Sequence, residues 1–348
     1  MRASRASRAT RSAAILIVAG VLLTACAGEP EATPSPSPSA SATPSAAPAE
    51  PEPEVVTAPL TGVVLDAPIQ LPSISAKIDN HPDARPQYGL ESTDIVYEEL
   101  VEGGLTRYVA VWHSTMPQQI GPVRSIRPMD PAIASPFGGM IAFSGGQPHF
   151  VAAMQATNVA NVIHGAGTHD AYYSRGGAHA APHNVLLQAA QLQQDIASIA
   201  PPQPQFAYAT DAAAPTSQAA GGPAAQLSMA FSPSQSRQWG CDAATGRWQR
   251  GQQGSADLDA NGQQLSAANV VVLRVEVLPN GDIPQTMLEG RWGDGFVASG
   301  CSWVPVTWSK ADVASPIQVV DAAGQPVVLA QGNSWVELVP TTGSATVS

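Results

Sequence analysis

Between Ala27 and Pro59 the chain is built almost wholly from Pro, Ser, Ala, Thr and Glu, with hardly a large apolar side chain among them. Such a stretch cannot bury enough surface to offset the entropy lost on ordering its backbone. The sequence therefore predicts a disordered, partly polyproline-like tether over residues 26–58. Whatever folds must lie beyond it. About 290 residues remain, a length that suggests two domains.

What precedes the tether reads as an export signal. Arg2, Arg5, Arg8 and Arg11 form a positive n-region, and the apolar run from Ala13 to Leu23 follows. That run is shorter than the roughly 20 apolar residues a membrane-spanning helix needs. It ends in Leu23-Thr24-Ala25-Cys26, which resembles a bacterial lipobox, where the cysteine thiol receives a diacylglycerol group. The expectation is a signal peptide over residues 1–25, a lipidated Cys26, and a chain whose first partner is the membrane it is anchored to. That places it on the outer face of the bacterial cytoplasmic membrane. The alternative is an ordinary signal peptide with a chance cysteine.

Loss of the four signal arginines leaves 12 basic residues against 27 acidic ones, a net charge of −15. Phosphate backbones need a basic face, so nucleic acid is not an expected partner. Only Lys77 and Lys310 are lysines, so nearly all positive charge sits on arginine. Two cysteines remain, Cys241 and Cys301. Thiols outside the cytoplasm tend to pair, and a disulfide is favoured over two buried free thiols.

The expected fold is an α+β or α/β first domain with a mixed sheet over residues 59–205, a linker over 206–225, and a mainly-β second domain, sandwich or barrel, over 226–345. In the first, Ile74–Asp79, Asp94–Val101, Leu105–His113 and Met140–Ser144 read as strands. His149–Thr157 and Val185–Ile199 read as helices, the second with Asn184 as its N-cap. In the second, helical periodicity nearly vanishes. Leu227–Phe231, Gly246–Arg250, Val270–Leu278, Thr286–Trp292, Cys301–Trp308 and Ser334–Val339 read as strands, with Pro279-Asn280-Gly281-Asp282 as a turn. Six of the seven tryptophans lie in this half.

All seven histidines fall between His81 and His183, among dense polar strings. Arg124 and Arg127, three residues apart around Ser125, would face one way on a helical turn and could grip a phosphate or carboxylate. The competing reading is that they tie loops together. Strands meeting near Gly103-Gly104 would bring Glu98 or Glu102 close to Arg107. That pair is either structural, or a general base or oxygen ligand for Mg²⁺ or Ca²⁺. His179 and His183 are spaced like zinc ligands on a helix, but Pro182 argues against a helix there. No cofactor is predicted, no metal is assigned, and a divalent ion stays an open alternative. Ser144 lacks a glycine two residues before it and is not expected to be a nucleophile.

Several strings carry a resemblance. Pro59-Leu60-Thr61-Gly62, Asn80-His81-Pro82, Ala84-Arg85-Pro86-Gln87, Asp94-Ile95-Val96-Tyr97-Glu98, Thr106-Arg107, Gly121-Pro122-Val123-Arg124-Ser125 with Arg127, and Ala181-Pro182-His183-Asn184 are similar to those of the YerB-like bacterial lipoproteins. That is a two-domain family of unknown function. In the second half the resemblance rests on Asn269-Val270-Val271-Val272 and on Ser334-Trp335-Val336 with Val339-Pro340. It implies an exported lipoprotein and supplies no reaction. A fainter analogy is to the LytR–CpsA–Psr phosphotransferases, which grip a polyprenyl pyrophosphate with arginines, although their Arg-x-Asp-Thr and Pro-Arg-Asp patterns are absent.

Three functional readings follow. The first is a membrane-tethered binding module whose Asn80, His81, Arg85, Arg107, Arg124, Ser125, Arg127, His183 and Asn184 hold an anionic envelope ligand. The second is an envelope enzyme, phosphotransferase or hydrolase, with Glu98 or Glu102 and His183 in acid–base roles. The third is a scaffold for envelope proteins.

Overall fold

The computed structural model describes residues 55–210 and 214–348. The signal peptide, Cys26 and nearly all of the tether lie outside the described residues. Order begins early: Thr57 bridges Val64 and Ala58 is buried.

The first half supplies β1 (Ile74–Asp79), β2 (Ile95–Leu100), β3 (Thr106–Trp112), β4 (Gln119–Ile120), β5 (Met140–Phe143), β6 (Ala160–Ile163), β7 (Tyr173–Arg175) and β8 (Val185–Gln188). Its helices are short: α1 (Asp130–Ala134), α2 (Pro148–Gln155) and α3 (Ala189–Asp195). The second half supplies β9 (Gln226–Ser232), β10 (Gln235–Asp242), β11 (Arg247–Gln252), β12 (Asn269–Val275), β13 (Arg291–Ser299), β14 (Ser302–Lys310), β15 (Ser334–Pro340) and β16 (Ser344–Val347). The first half is thus a mixed sheet with few helices, and the second is mainly β, as the patterning predicts.

The two halves share one sheet. Its order runs β14-β13-β12-β15-β2-β3-β1-β5-β6, and β15 lies parallel to both β12 and β2. A second sheet, β11-β10-β9-β16, packs over one face. The core there gathers Ile78, Val96, Tyr108, Ala110 and Trp112 with Trp239, Trp248 and Trp335. The opposite face carries Ile95, Tyr97, Val109 and Val111 against Met129, Ile133 and Phe137 of the α1 region. Strand residues alternate between faces, so the adjacent pair Glu98 and Glu99 is split, one carboxylate to each side.

Three expectations are corrected. Val185–Ile199 is not one helix. Its first four residues are β8, paired with β4 and β7, and the helix begins only at Ala189, after Gln188. The run Val185-Leu186-Leu187 satisfies either period, and pairing with Ile120 and Tyr173 decides it. Asn184 therefore caps no helix; its side chain accepts from Arg175 instead. The stretch Thr286–Trp292 is not one strand, because Ile283–Thr286 closes a hairpin with Val277–Asn280 and the chain turns before β13. Within residues 206–225, Ala207–Tyr208 pairs with Val328–Leu329, and Thr216–Ala220 is helical.

The disulfide forms between Cys241 on β10 and Cys301, in the turn between β13 and β14. It ties the second sheet to the shared one.

Candidate functional site

Asp79 and Arg107 face each other in register at one end of β1 and β3. Beside them the segment Gly121–Arg124 runs antiparallel to the end of β1. The Arg124 N–H donates to the Lys77 carbonyl, and the Val123 N–H donates to the Val185 carbonyl of β8. Gly121 makes this close passage feasible: its φ is +149°, and a Cβ there would come within 2.8 Å of the Val185 carbonyl oxygen. Arg124 is thereby fixed next to Asp79, and His183, just before β8, arrives from the other side.

Asp79 is the hub. Its Oδ2 lies 2.7 Å from His183 Nδ1 and 3.0 Å from Arg124 Nε, and its Oδ1 accepts from the His81 N–H at 3.1 Å. The Arg124 contact is an ion pair by distance, set at an angle that gives no proper hydrogen bond. The His81 and His183 rings stack with centroids 4.4 Å apart. The hairpin turn Glu102–Gly104 places Glu102 across from this group. Glu102 accepts from Arg107 Nη2 at 3.2 Å and takes Arg127 through two bonds, one of them Nε to Oε2 at 2.7 Å. Burial pushes Glu102 up, but Arg127 and Arg107 outweigh it and hold its carboxyl down at about 2. Burial pulls Arg107 down to about 10, with Arg127 adding repulsion against the pull of Glu102 and Asp79.

Together Asp79, His81, Glu102, Thr106, Arg107, Arg124 and His183 line a pocket of about 160 Å³. Pockets for drug-sized ligands run to roughly 300–1,000 Å³, so this one suits a small ionic group.

The three arginines play different parts. Arg127 spends its donors inward, on Glu102 and on the Ser125 and Ile126 carbonyls, and does not line the pocket. Arg107 shares Glu102 and the Ser125 carbonyl with it and presents its remaining edge to the pocket. Among the described residues the Arg124 guanidinium, 24 % exposed, has Asp79 as its polar partner, and neither terminal nitrogen is bonded. No helical turn sets Arg124 and Arg127 in parallel, as the sequence suggested. Helix α1 begins only at Asp130, and the two guanidiniums take different partners, Asp79 and Glu102.

Other candidates lie elsewhere. Glu98 is fully buried, bridging Arg237 and Arg250 of the second half, and cannot serve as a base for an outside substrate. Burial acts to raise it, and those two guanidiniums overcome this and hold it below the usual carboxylate range. Asn80 is buried on Thr106, Gln87 and Gln252. Arg85 donates to Gln253 and opens on a separate cavity with Gln252 and Asp257. The Ser125 hydroxyl donates to the Ser144 carbonyl. His179 contacts the Pro86 carbonyl, and His113 the Leu71 carbonyl.

Sequence reasoning missed Asp79, the residue on which the site turns, and the buried cluster of Lys77, Glu99 and Asp130 beneath it. Asp130 also accepts from the Arg127 N–H at 2.6 Å, so this cluster holds the arginine loop. A signal was there: in Ile74-Ser75-Ala76-Lys77-Ile78-Asp79 strand alternation puts both charges on one face.

Two family models match this chain: the N-terminal domain of a protein of unknown function (DUF3048), over residues 60–200, and its C-terminal domain, over residues 227–336. The chain belongs to this YerB-like family. It is similar to YerB of Bacillus subtilis (strain 168), which is named as a lipoprotein, with 33% identity over 128 residues. That alignment spans 36% of this chain and 38% of YerB, less than half of the curated relative. The crystal structure of the YerB protein from Bacillus subtilis superposes with a TM-score of 0.70 at 20% identity, covering 84% of this chain and 99% of that one. This likeness speaks to the fold.

Proposed function

We propose that the chain is a lipid-anchored protein of the outer face of the cytoplasmic membrane that binds an anionic group of an envelope ligand in the Arg107–Arg124–His183 pocket. The observation that carries the reading is Arg124: a guanidinium whose terminal nitrogens are unbonded among the described residues, held by Asp79 beside Arg107 and two imidazoles. Guanidiniums match phosphate and carboxylate oxygens in pairs. The anchor rests on Cys26 in its lipobox-like context and on the similarity to a protein named as a lipoprotein. Calorimetric titration with inorganic phosphate and pyrophosphate tests the pocket. Arg124→Ala is expected to weaken binding at least tenfold, a loss of about 1.4 kcal/mol. Equal affinity in the variant would remove the reading. Membrane fractionation of Cys26→Ser tests the anchor separately, the variant being expected in the soluble fraction.

A second reading, an enzyme acting on a phosphate- or sugar-bearing substrate, is favoured by one contact. Asp79 on His183 Nδ1 is the arrangement that orients an imidazole for general acid–base work. Turnover of lipid-linked phosphate substrates that His183→Ala abolishes would establish it. Absence of turnover with such substrates, with and without divalent metals, would leave the binding role alone.

A further inference from the structure

His81, Asp83 and His183 stand together at the mouth of the pocket, and the donor atoms they offer all lie within 4.8 Å of one another. We infer that these three side chains form a binding site for a divalent transition-metal ion of the zinc class, placed so that an anion held by Arg124 completes its coordination. The inference rests on the anion-binding reading only for that last ligand.

Three features support the site. The first is ligand chemistry: two imidazoles and one carboxylate are borderline donors of the kind that Zn²⁺ takes, and three protein ligands leave a position open. The second is orientation. Asp79 Oδ2 sits on His183 Nδ1, which places the proton there and leaves Nε2 with its lone pair free; a carboxylate behind a ligating histidine is the usual outer support of such sites. The third is charge. Arg107, Arg124 and Arg127 are matched by Asp79, Asp83 and Glu102, so a divalent cation and a phosphate dianion would enter as a neutral pair.

The site must close on the ion. Tetrahedral bonds of about 2 Å set two donors about 3.3 Å apart, so donors spread over up to 4.8 Å must close by about 1.5 Å, and the stacked His81 and His183 rings must tilt toward a common point. Asp83 is exposed and its Oδ2 is 3.6 Å from His81 Nδ1, so its side chain is free to make that movement. The contact given up is the 3.2 Å bond from the Asp83 N–H to His81 Nδ1.

The test is equilibrium dialysis of the untagged full chain against Zn²⁺, with bound metal read by elemental analysis. One ion per chain is expected for the wild type, none for His81→Ala, His183→Ala, and affinity lowered about 10–100-fold by Asp79→Asn. Asp83→Asn, on an exposed side chain, guards against a folding artefact and should also weaken binding. No bound zinc in the wild type, or undiminished binding in the double histidine variant, overturns the inference. Phosphate titration of the wild type and of Arg124→Ala in a metal chelator reads the pocket independently: arginine-dependent phosphate binding without any zinc binding would leave the anion site standing and sink the metal site.

Discussion

Asp79 Oδ2 meets His183 Nδ1 at 2.7 Å although 104 residues separate the two in the chain. The same carboxylate oxygen neighbours Arg124, so one acidic side chain holds together a strand end, a proline-bounded loop and the entry to β8. Asp79→Ala would leave a partly buried imidazole N–H and the His81 N–H without an acceptor. Unmet buried donors cost about 1–3 kcal/mol. The thermal midpoint is expected to fall by several degrees, at about 2–4 °C per kcal/mol for a chain of this size, and phosphate affinity should fall with it. Calorimetry that finds both unchanged would show that Asp79 organises nothing.

Glu98 lies between Arg237 and Arg250, all three side chains fully buried, with Glu337 beside it and Asp257 also paired to Arg250. Removing one partner of such a group leaves uncompensated buried charge, at about 3–5 kcal/mol. Glu98→Ala is expected to lower the urea midpoint accordingly, without a direct effect on the Arg107–Arg124–His183 pocket. A loss below 1 kcal/mol in urea titrations would contradict the assignment.

Asp94 accepts from the His113 and Ser114 N–H groups at 2.6 and 2.7 Å, yet burial dominates and pushes its carboxyl up to about 6. A raised carboxyl binds its proton more tightly folded than unfolded. Its stabilising effect is therefore full below about pH 4 and is lost as pH climbs to about 6, by roughly 3 kcal/mol. Asp94→Asn keeps the acceptor and removes the titration. The variant should show a flatter stability curve between pH 4 and 6 and be the more stable protein at pH 7.5. Parallel curves for the two proteins would refute this.

Cys241 and Cys301 are 60 residues apart. A loop of that length is worth about 4 kcal/mol in the chain-entropy model. Cys241→Ser, Cys301→Ser should unfold at clearly lower denaturant than the oxidised wild type, and reductant should shift the wild type to match. Coincident unfolding curves would rule it out.

Much of the fold could be read from the chain, because burial and periodicity agreed. Ile74–Asp79 matches its strand end to end, and the strands at Thr106–Trp112 and Ser334–Pro340 fall within a residue or two of their apolar runs. Val185-Leu186-Leu187 failed because three apolar residues in a row carry no period, and only the partner strands decide. The candidate site was half legible. Arg107, Arg124, Glu102, His81 and His183 could be picked by their polar strings. What those strings could not show is that Arg127 faces inward, that Glu98 belongs to a contact with residues about 140–150 positions away (Arg237 and Arg250), or that Asp79 is the common partner. Each of these is set by pairing between distant strands, which local sequence does not encode.

The place of β15 in the shared sheet has a consequence for how the molecule is made. This strand, Ser334–Pro340, lies between β2 and β12 and pairs with both, although β2 is far from it in sequence. Until it docks, β2 and β12 each keep an open edge, which invites misplaced pairing. The first half therefore stays incompletely paired until a distant strand has arrived. Non-local parallel pairing of this kind is intrinsically slow, so the docking of β15 sets the time at which the two halves become a closed, non-sticky object. Deleting this one strand would be costlier than its length suggests.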